Sequence, residues 1–170
     1  MIHKLISIAQ AEIGVIEIGG NNLGPRVREY QSSTDLPPGA WPWCAAYVDY
    51  CIREWLRDLD VLDWLKLTRT PEEWRPKTAL AYGLTSWAKQ RTKTTSIFTD
   101  KDSAQPGDIV TFDFSHVGFV LEDDGKNLVT VEGNTNGKGQ RDSDSGDGVW
   151  RKIRPKSLAK DIIRIHPRKV

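Results

Sequence analysis

Cys44 and His116 are the two residues whose types and settings could do covalent chemistry together. A cysteine attacks as the thiolate, so a nucleophilic cysteine needs a nearby base and surroundings that favour negative charge. Cys44 follows Trp43 and begins a segment with helical spacing of apolar residues. The first turn of a helix offers the positive end of its dipole and unpaired backbone N–H groups. The same N–H groups can hold the oxyanion formed when a carbonyl carbon is attacked, so the position of Cys44 fits acyl transfer.

The second half of the chain offers a base with a partner. His116 begins one predicted strand, and Glu132 ends the strand that returns after a turn near Gly125. A hairpin with this turn places His116 opposite Glu132, Gly133 or Asn134. A carboxylate or amide facing the imidazole would fix its tautomer and support the imidazolium once it has taken the thiol proton.

Each of these residues has a simpler interpretation when it is considered alone. A lone cysteine is more often a buried structural residue, and a lone histidine at a strand end more often lies on the surface. The polar run after Glu132 could be a strand end passing into a turn. Here a cysteine at a helix start occurs together with a histidine at a strand start and a hydrogen-bond acceptor on the facing strand. This combination is much rarer than any one of the three features alone. We therefore favour the catalytic interpretation.

The chain has 2 cysteines, too few for a disulfide framework. Cys51 lies seven residues after Cys44 on the same predicted helix, so the two stand roughly 10 Å apart along the axis, beyond disulfide reach. Both should be free thiols. Cys51 falls on the apolar stripe of the helix, where a small core residue is expected.

The elements that must position these residues predict an α+β fold, with N-terminal helices packed on a C-terminal antiparallel sheet of about five strands. Helical spacing covers residues 2–13, a short stretch near 27–30, residues 43–59 and residues 78–89. Strand-like segments cover residues 109–114, 117–122, 128–132, 148–154 and 161–166. We expect one domain over residues 1–170, and we read the N-terminal apolar run as its first helix and not as a signal peptide.

Composition excludes some classes of function. The chain has 170 residues, 28% of them charged, and a formal net charge of +1, which gives no general attraction to nucleic acid. No apolar run approaches the roughly 20 residues that a membrane-spanning helix needs. The segment from Arg151 to Lys169 has eight Lys or Arg against the single Asp161. It is either a solvated basic surface or a weak attraction to an anionic polymer.

Four segments, in this order, resemble the CHAP family of cysteine, histidine-dependent amidohydrolases and peptidases, which is related to the NlpC/P60 enzymes and to the papain-like fold. The segments are Pro42-Trp43-Cys44-Ala45-Ala46-Tyr47-Val48, Gln105-Pro106-Gly107-Asp108-Ile109-Val110, His116-Val117-Gly118-Phe119-Val120 and Val131-Glu132-Gly133-Asn134-Thr135-Asn136. The resemblance covers most of the chain and is least distinctive over residues 55–100.

The resemblance implies roles for individual residues. Cys44 would be the nucleophile, His116 the general base and then acid, Glu132 the residue that orients His116, and Asn134 a further polar member of the site. Trp43 and Asn22 are candidate substrate contacts, although core packing and a turn are the simpler interpretations of them.

We expect no cofactor and no metal. Some family members bind calcium through an acidic loop before the cysteine, and the segment Asp35–Ala40 lacks that pattern. Asp142, Asp144 and Asp147 are only loosely spaced like a calcium loop, so we interpret them as a solvated turn.

The family cleaves peptidoglycan, at the bond between muramic acid and L-alanine or within the stem or cross-bridge peptides. We expect a monomer without a wall-binding module, acting at the bacterial cell wall or periplasm after delivery or lysis. It could be a lysin, a wall-remodelling enzyme or a delivered antibacterial toxin with an immunity or delivery protein as partner. Two other classes remain open: a non-catalytic wall-binding module on the same fold, and a papain-like peptidase or acyltransferase acting on an intracellular protein.

Overall fold

The computed structural model describes residues 1–137 and 146–169. Its helices are α1 (Ile2–Ala11), α2 (Pro25–Gln31), α3 (Cys44–Trp55), α4 (Leu59–Leu65), α5 (Pro71–Trp74) and α6 (Gly83–Lys89). Its strands are β1 (Thr95–Phe98), β2 (Ile109–Phe112), β3 (His116–Asp123), β4 (Asn127–Thr135), β5 (Gly148–Pro155) and β6 (Ala159–Ile165). Helices precede the sheet, which confirms the predicted α+β class.

Helix α3 lies at the centre of the molecule, and all of its residues except Arg53 and Glu54 are buried. It packs against α1 and α2 on one side and against β3 and β4 on the other. The helix approaches the sheet closely at Gly133, where a Cβ atom would lie 2.6 Å from Cβ of Tyr47. A glycine at this position therefore lets the helix that begins with Cys44 lie directly on the strand that contains Glu132.

The sheet has six antiparallel strands in the order β1-β6-β2-β3-β4-β5. The five predicted strands are all present, and the count of about five was wrong by one. The additional strand, β1, lies at the sheet edge and pairs only with β6. It has four residues and is well buried only at Thr95, so its sequence carries too short an alternation of apolar and polar residues to predict a strand.

Two predicted helix boundaries were also wrong. The helix expected over residues 43–59 ends at Trp55, and α4 begins separately because the Asp58 side chain accepts a hydrogen bond from the backbone N–H of Asp60. The helix expected from Thr78 begins at Gly83. The Thr78 hydroxyl accepts a hydrogen bond from the backbone N–H of Leu80, and such side-chain turns compete with helix formation.

The β3–β4 hairpin has the register that the turn position predicts. Phe119 pairs with Val131 and Val120 with Thr130, and a bulge at Leu121 shifts the remaining pairs towards the turn. The register at Phe119, continued towards the start of β3, places Gly118 across from Glu132 and His116 across from Asn134. His116 and Glu132 are therefore diagonal neighbours on one face of the sheet.

Strand residues are buried on both faces of the sheet. The larger core fills the space between the helices and the sheet, and a smaller cluster around Val110, Phe112 and Val120 lies on the opposite face. Among the described residues, no helix is long and apolar enough to cross a membrane.

Candidate active site

The candidate nucleophile, Cys44, is the first residue of α3. Trp43 is the N-cap residue, and its side chain makes no capping hydrogen bond. The first turn therefore keeps the unpaired N–H groups that every helix start presents. Cys44 is a free thiol with 5% of its surface exposed. The helix start thus holds a thiol beside backbone donors, as its place in the sequence predicts.

The other cysteine lies in a different environment. Cys51 is also a free thiol and is completely buried, two turns further along α3. Burial raises the pKa of the Cys51 thiol well above its usual value, so it stays protonated. A buried neutral thiol is a core residue, which agrees with the structural role predicted for it.

The candidate base, His116, begins β3 directly after the turn from β2. Its imidazole lies parallel to the ring of Phe114, with 5.6 Å between ring centroids, and also stacks near Phe112 at 6.0 Å. The Tyr82 hydroxyl donates to the carbonyl of Phe112 and accepts from the N–H of Ser115. The turn is thus tied down at both sides, and the stacked rings fix the plane of the imidazole.

Glu132 is the partner of His116. The Nε2 atom of His116 lies 3.2 Å from Oε1 of Glu132, and both side chains are almost completely buried. The distance is that of an ion pair, while the ring N–H is not aligned with the oxygen well enough for a standard hydrogen bond. Of the three residues that the hairpin left open, the structure brings the carboxylate of Glu132 to the imidazole.

Arg154, on β5, is the second cation at Glu132. Its Nε atom donates to both carboxylate oxygens, at 3.1 and 3.0 Å, and its side chain is fully buried. The guanidinium carbon also lies 5.2 Å from the ring centroid of Phe114. Because a buried carboxylate needs more than one donor, Arg154 helps to keep Glu132 ionised beside His116.

The charges of this cluster set the protonation of its members. Burial alone would lower the pKa of His116, but the negative charge of Glu132 and the close contacts of the imidazole with Cys44 and Glu132 outweigh it and raise the pKa to about 10. Burial alone would raise the pKa of Glu132, but the charges of His116 and Arg154 hold it below its usual value. At neutral pH the site therefore contains an imidazolium between the Cys44 sulfur and a carboxylate.

The remaining predicted site residues lie around this cluster in different ways. Asn134 is buried near the end of β4 with a φ of 52°, at the irregularity between Glu132 and Thr135. Within the two described ranges, no hydrogen bond joins its side chain to His116. Trp43 is completely buried, and its indole N–H donates to Glu17.

Asn22 lies in the loop before α2, also with a positive φ, of 60°. Together with Leu23, Arg28 and Gly39 it lines a cavity of about 390 Å³. The loop over residues 38–41 that forms the other side of this cavity leads directly into Cys44. It is fastened by Gln31, whose side chain bonds the main chain of Gly39 and Trp41.

Sequence reasoning missed Arg154, Tyr82 and Gly118. The sequence of β5 did not reveal Arg154, because the strand buries Lys152 and Arg154 and exposes Ile153, the reverse of the usual apolar pattern. A basic residue on the buried side of a strand requires a buried acid. Tyr82 lies before α6 and meets the hairpin only through the tertiary fold, so no local pattern points to it.

A metal centre is not apparent in the described part of the chain. No group of three or more histidine, cysteine, aspartate or glutamate residues there could hold a metal ion. Of the acidic run predicted to be a solvated turn, Asp142 and Asp144 lie outside the described residues, and Asp147 accepts a hydrogen bond from the indole of Trp150.

Comparison with known proteins identifies the family. The CHAP domain model matches residues 36–134, which is more than half of the chain and includes Cys44, His116, Glu132 and Asn134. The crystal structure of Ly7917 has a similar fold, with a TM-score of 0.56 and 15% sequence identity, over 97% of this chain and 62% of that one. This chain thus spans about three-fifths of that protein, and the fold is the predicted papain-like one. No curated protein matches the chain significantly. The chain belongs to the CHAP domain family.

Proposed function

We propose that the protein is a peptidoglycan hydrolase that cleaves an amide bond through an acyl-enzyme on Cys44. The observation that carries the proposal is that the buried His116 imidazole contacts both Cys44 and the Glu132 carboxylate. Acyl transfer to a thiol requires a cysteine nucleophile, an imidazole within hydrogen-bonding reach of it and a group that orients the imidazole. Here the cysteine lies at a helix start and the orienting group is a carboxylate. The family supports peptidoglycan as the substrate class.

The first half-reaction forms a thioester. The Cys44 thiolate attacks the amide carbonyl carbon, and the backbone N–H of Cys44 at the helix start donates to the oxyanion that forms. The His116 imidazolium gives its proton to the amide nitrogen as the C–N bond breaks, so the amine leaves neutral. The products are a thioester on Cys44, a free amine and a neutral imidazole.

The second half-reaction consumes water. Neutral His116 takes a proton from a water molecule as the oxygen attacks the thioester carbonyl carbon. The C–S bond then breaks, the acyl group leaves as a carboxylic acid, and the thiolate–imidazolium pair is restored. Glu132 stays ionised throughout and stabilises the imidazolium of each cycle, because His116 and Arg154 keep its pKa low.

The bond that we propose lies between muramic acid and L-alanine or within the stem or cross-bridge peptide. The place of action that follows is the bacterial cell wall or periplasm, reached by delivery or after lysis. The cavity beside Asn22 and Gly39 is a candidate to hold part of the peptide, because the loop that borders it leads into the nucleophile.

Incubation of purified peptidoglycan with the protein, followed by mass spectrometry of the soluble products, tests the proposal. The wild-type protein should release fragments, and their masses identify the bond. Cys44→Ala and His116→Gln should release none. Cys51→Ala is the matched control, because it removes the other thiol of the same helix and should retain the release.

The same experiment separates the other classes. Binding to peptidoglycan without release by any variant would favour a non-catalytic wall-binding module. If the wild-type protein neither binds nor releases anything from several chemical types of wall, the wall-hydrolase proposal is wrong, and a papain-like enzyme acting on an intracellular protein becomes the better explanation.

A further inference from the structure

A second concave site lies between the end of α6, the start of β1 and the C-terminal segment, and none of the proposed catalytic residues lines it. It encloses about 110 Å³, enough for several water molecules or for one small polyatomic ion. Four basic residues line it, Arg69, Arg91, Lys93 and Arg168, and no acidic residue does. We call this site the cationic hollow. Trp74 and Thr94, both buried, belong to its wall.

The four basic side chains of the cationic hollow are not neutralised by the protein. Within residues 1–137 and 146–169, none of them forms an ion pair with a carboxylate. Glu73 is near enough for the charge of Arg69 to contribute to the lowering of its pKa, but one of its oxygens is already bound by the backbone N–H and hydroxyl of Thr70. Four basic residues therefore line one small space to which no described residue contributes a carboxylate.

Arg91 is held in place by neutral groups. Its Nε donates to the carbonyl of Trp74, and its two terminal nitrogens donate to the carbonyls of Gln90 and Glu73. A guanidinium has five N–H donors, so two remain after these three bonds. The bonds fix the orientation of the side chain and leave its positive charge uncompensated, which is the state of a preorganised anion receptor.

Other residues of the cationic hollow add further hydrogen-bond donors and positive charge. Arg168 donates to the Thr68 hydroxyl, which keeps its own hydrogen as a donor. Burial and the neighbouring charge of Arg69 lower the pKa of Arg91, so the two positive charges repel each other. An anion within the cationic hollow would relieve that repulsion.

We propose that the cationic hollow binds a phosphate group, either as the free ion or as an ester in an anionic polymer. Arginine and lysine side chains on several sides of one small space offer donors that suit a tetrahedral ion with oxygens on every side. A planar carboxylate would engage one arginine well and leave the others unpaired. The proposal does not depend on the hydrolase activity, since the cationic hollow shares no residue with the Cys44 site.

Titration of ¹⁵N-labelled protein with sodium phosphate, followed by NMR, tests the proposal against sodium chloride at equal ionic strength. The indole N–H of Trp74 and the amides of residues 91–94 should shift in a saturable way with phosphate and not with chloride. Arg168→Gln and Arg91→Gln should each weaken binding by roughly tenfold or more, because each removes a charge-assisted hydrogen bond. Lys89→Gln is the control, an exposed lysine on α6 that does not line the cationic hollow.

The arms of the titration identify the source of the phosphate. Inorganic phosphate and a soluble glycerol phosphodiester polymer are each titrated, with acetate as the reference anion. Tighter binding of either phosphate form than of acetate supports the proposal. Arg91→Gln removes hydrogen bonds to three carbonyls and could unfold this region. In that case the result for Arg168→Gln decides the test. Shifts that are equal in chloride and phosphate, or unchanged by Arg168→Gln, would overturn the proposal. Peptidoglycan release is measured separately, so a failure of one proposal leaves the other intact.

Discussion

Gly118 lies directly against the side chain of Glu132. A Cβ atom at residue 118 would be 2.6 Å from Cγ of Glu132 and 2.8 Å from the carbonyl oxygen of Val131. Because Gly118 has no side chain, the glutamate side chain can lie across β3 and reach His116, which is two residues away on the same face of the strand. The absence of a side chain at residue 118 is therefore part of what sets the distance of 3.2 Å between the imidazole and the carboxylate.

Gly118→Ala should displace Glu132 and lower kcat/KM on peptidoglycan. A misplacement of about 1 Å in a catalytic group can cost roughly 100-fold, and we expect a loss of at least tenfold. The pKa of His116, measured by NMR, should fall because its counterion has moved. Gly137→Ala is the control, since an added Cβ there meets nothing within 4 Å and the backbone has no positive φ. Equal activity of the two variants would contradict this assignment to Gly118.

Glu132→Gln should reduce both activity and stability, because it removes the negative charge from the buried ion pair between Glu132 and Arg154. Removing one partner of a buried ion pair costs about 3–5 kcal/mol. The double variant Glu132→Gln/Arg154→Met should recover much of this free energy of unfolding and should remain inactive. Urea denaturation and product release measure the two effects on the same samples. Recovery of activity in the double variant would show that the charge of Glu132 is not needed for catalysis.

The stability of the protein should depend on His116 between pH 6.5 and about 10. The unfolded chain releases this proton near pH 6.5, while the folded protein holds it up to a pKa of about 10. The stabilisation from the imidazolium is thus complete below pH 6.5 and is lost as the pH rises towards 10, by at most about 1.4 kcal/mol per pH unit. Denaturation series for the wild type and His116→Gln should converge over this range. Parallel curves would mean that His116 is neutral in the folded protein.

The positions of Cys44 and His116, the proposed catalytic pair, could be inferred from the sequence because each residue lies at the boundary of a regular element. Cys44 begins a helix with a strong apolar pattern, and the turn near Gly125 fixes which part of β4 faces His116. The register did not choose between Glu132 and Asn134, since a direct pairing places His116 across from Asn134. The choice of Glu132 depends on the empty space at Gly118, which is a property of packing and not of spacing.

Residues 55–100 were the least predictable part of the fold. The short elements α4, α5 and β1 have four to seven residues each, too few for a periodic pattern to be distinguished. Their ends depend on local capping, as at Thr70, where the threonine and Glu73 form a reciprocal capping box. Tyr82 belongs to this region, so its hydrogen bonds to the turn before His116 could not be predicted from the sequence either.

Asp49 is a buried acid on α3 that sequence reasoning passed over. Its side chain is completely buried, and its carboxyl oxygens have no hydrogen-bond partner of standard geometry. The backbone of Thr78 approaches it, and Arg75 is near enough to act through its charge. Arg75 itself is bound to Glu72 and to the carbonyl of Ser33. Burial outweighs these effects and raises the pKa of Asp49 well above its usual value, so the folded protein holds it as the neutral acid.

Asp49→Asn should therefore fold as well as the wild type at low pH and should be the more stable protein at higher pH. The unfolded chain loses the Asp49 proton near pH 3.9, whereas the folded protein retains it. Wild-type stability from this group is complete below that pH and falls as the pH rises towards the raised folded pKa. Asparagine replaces the neutral acid with a neutral amide of the same shape and removes this loss. Guanidinium denaturation at pH 4 and at pH 8 measures the difference, with Asp63→Asn, an exposed acid on α4, as the control. A wild type more stable than Asp49→Asn at pH 8 would show that Asp49 is ionised and paired in the folded state.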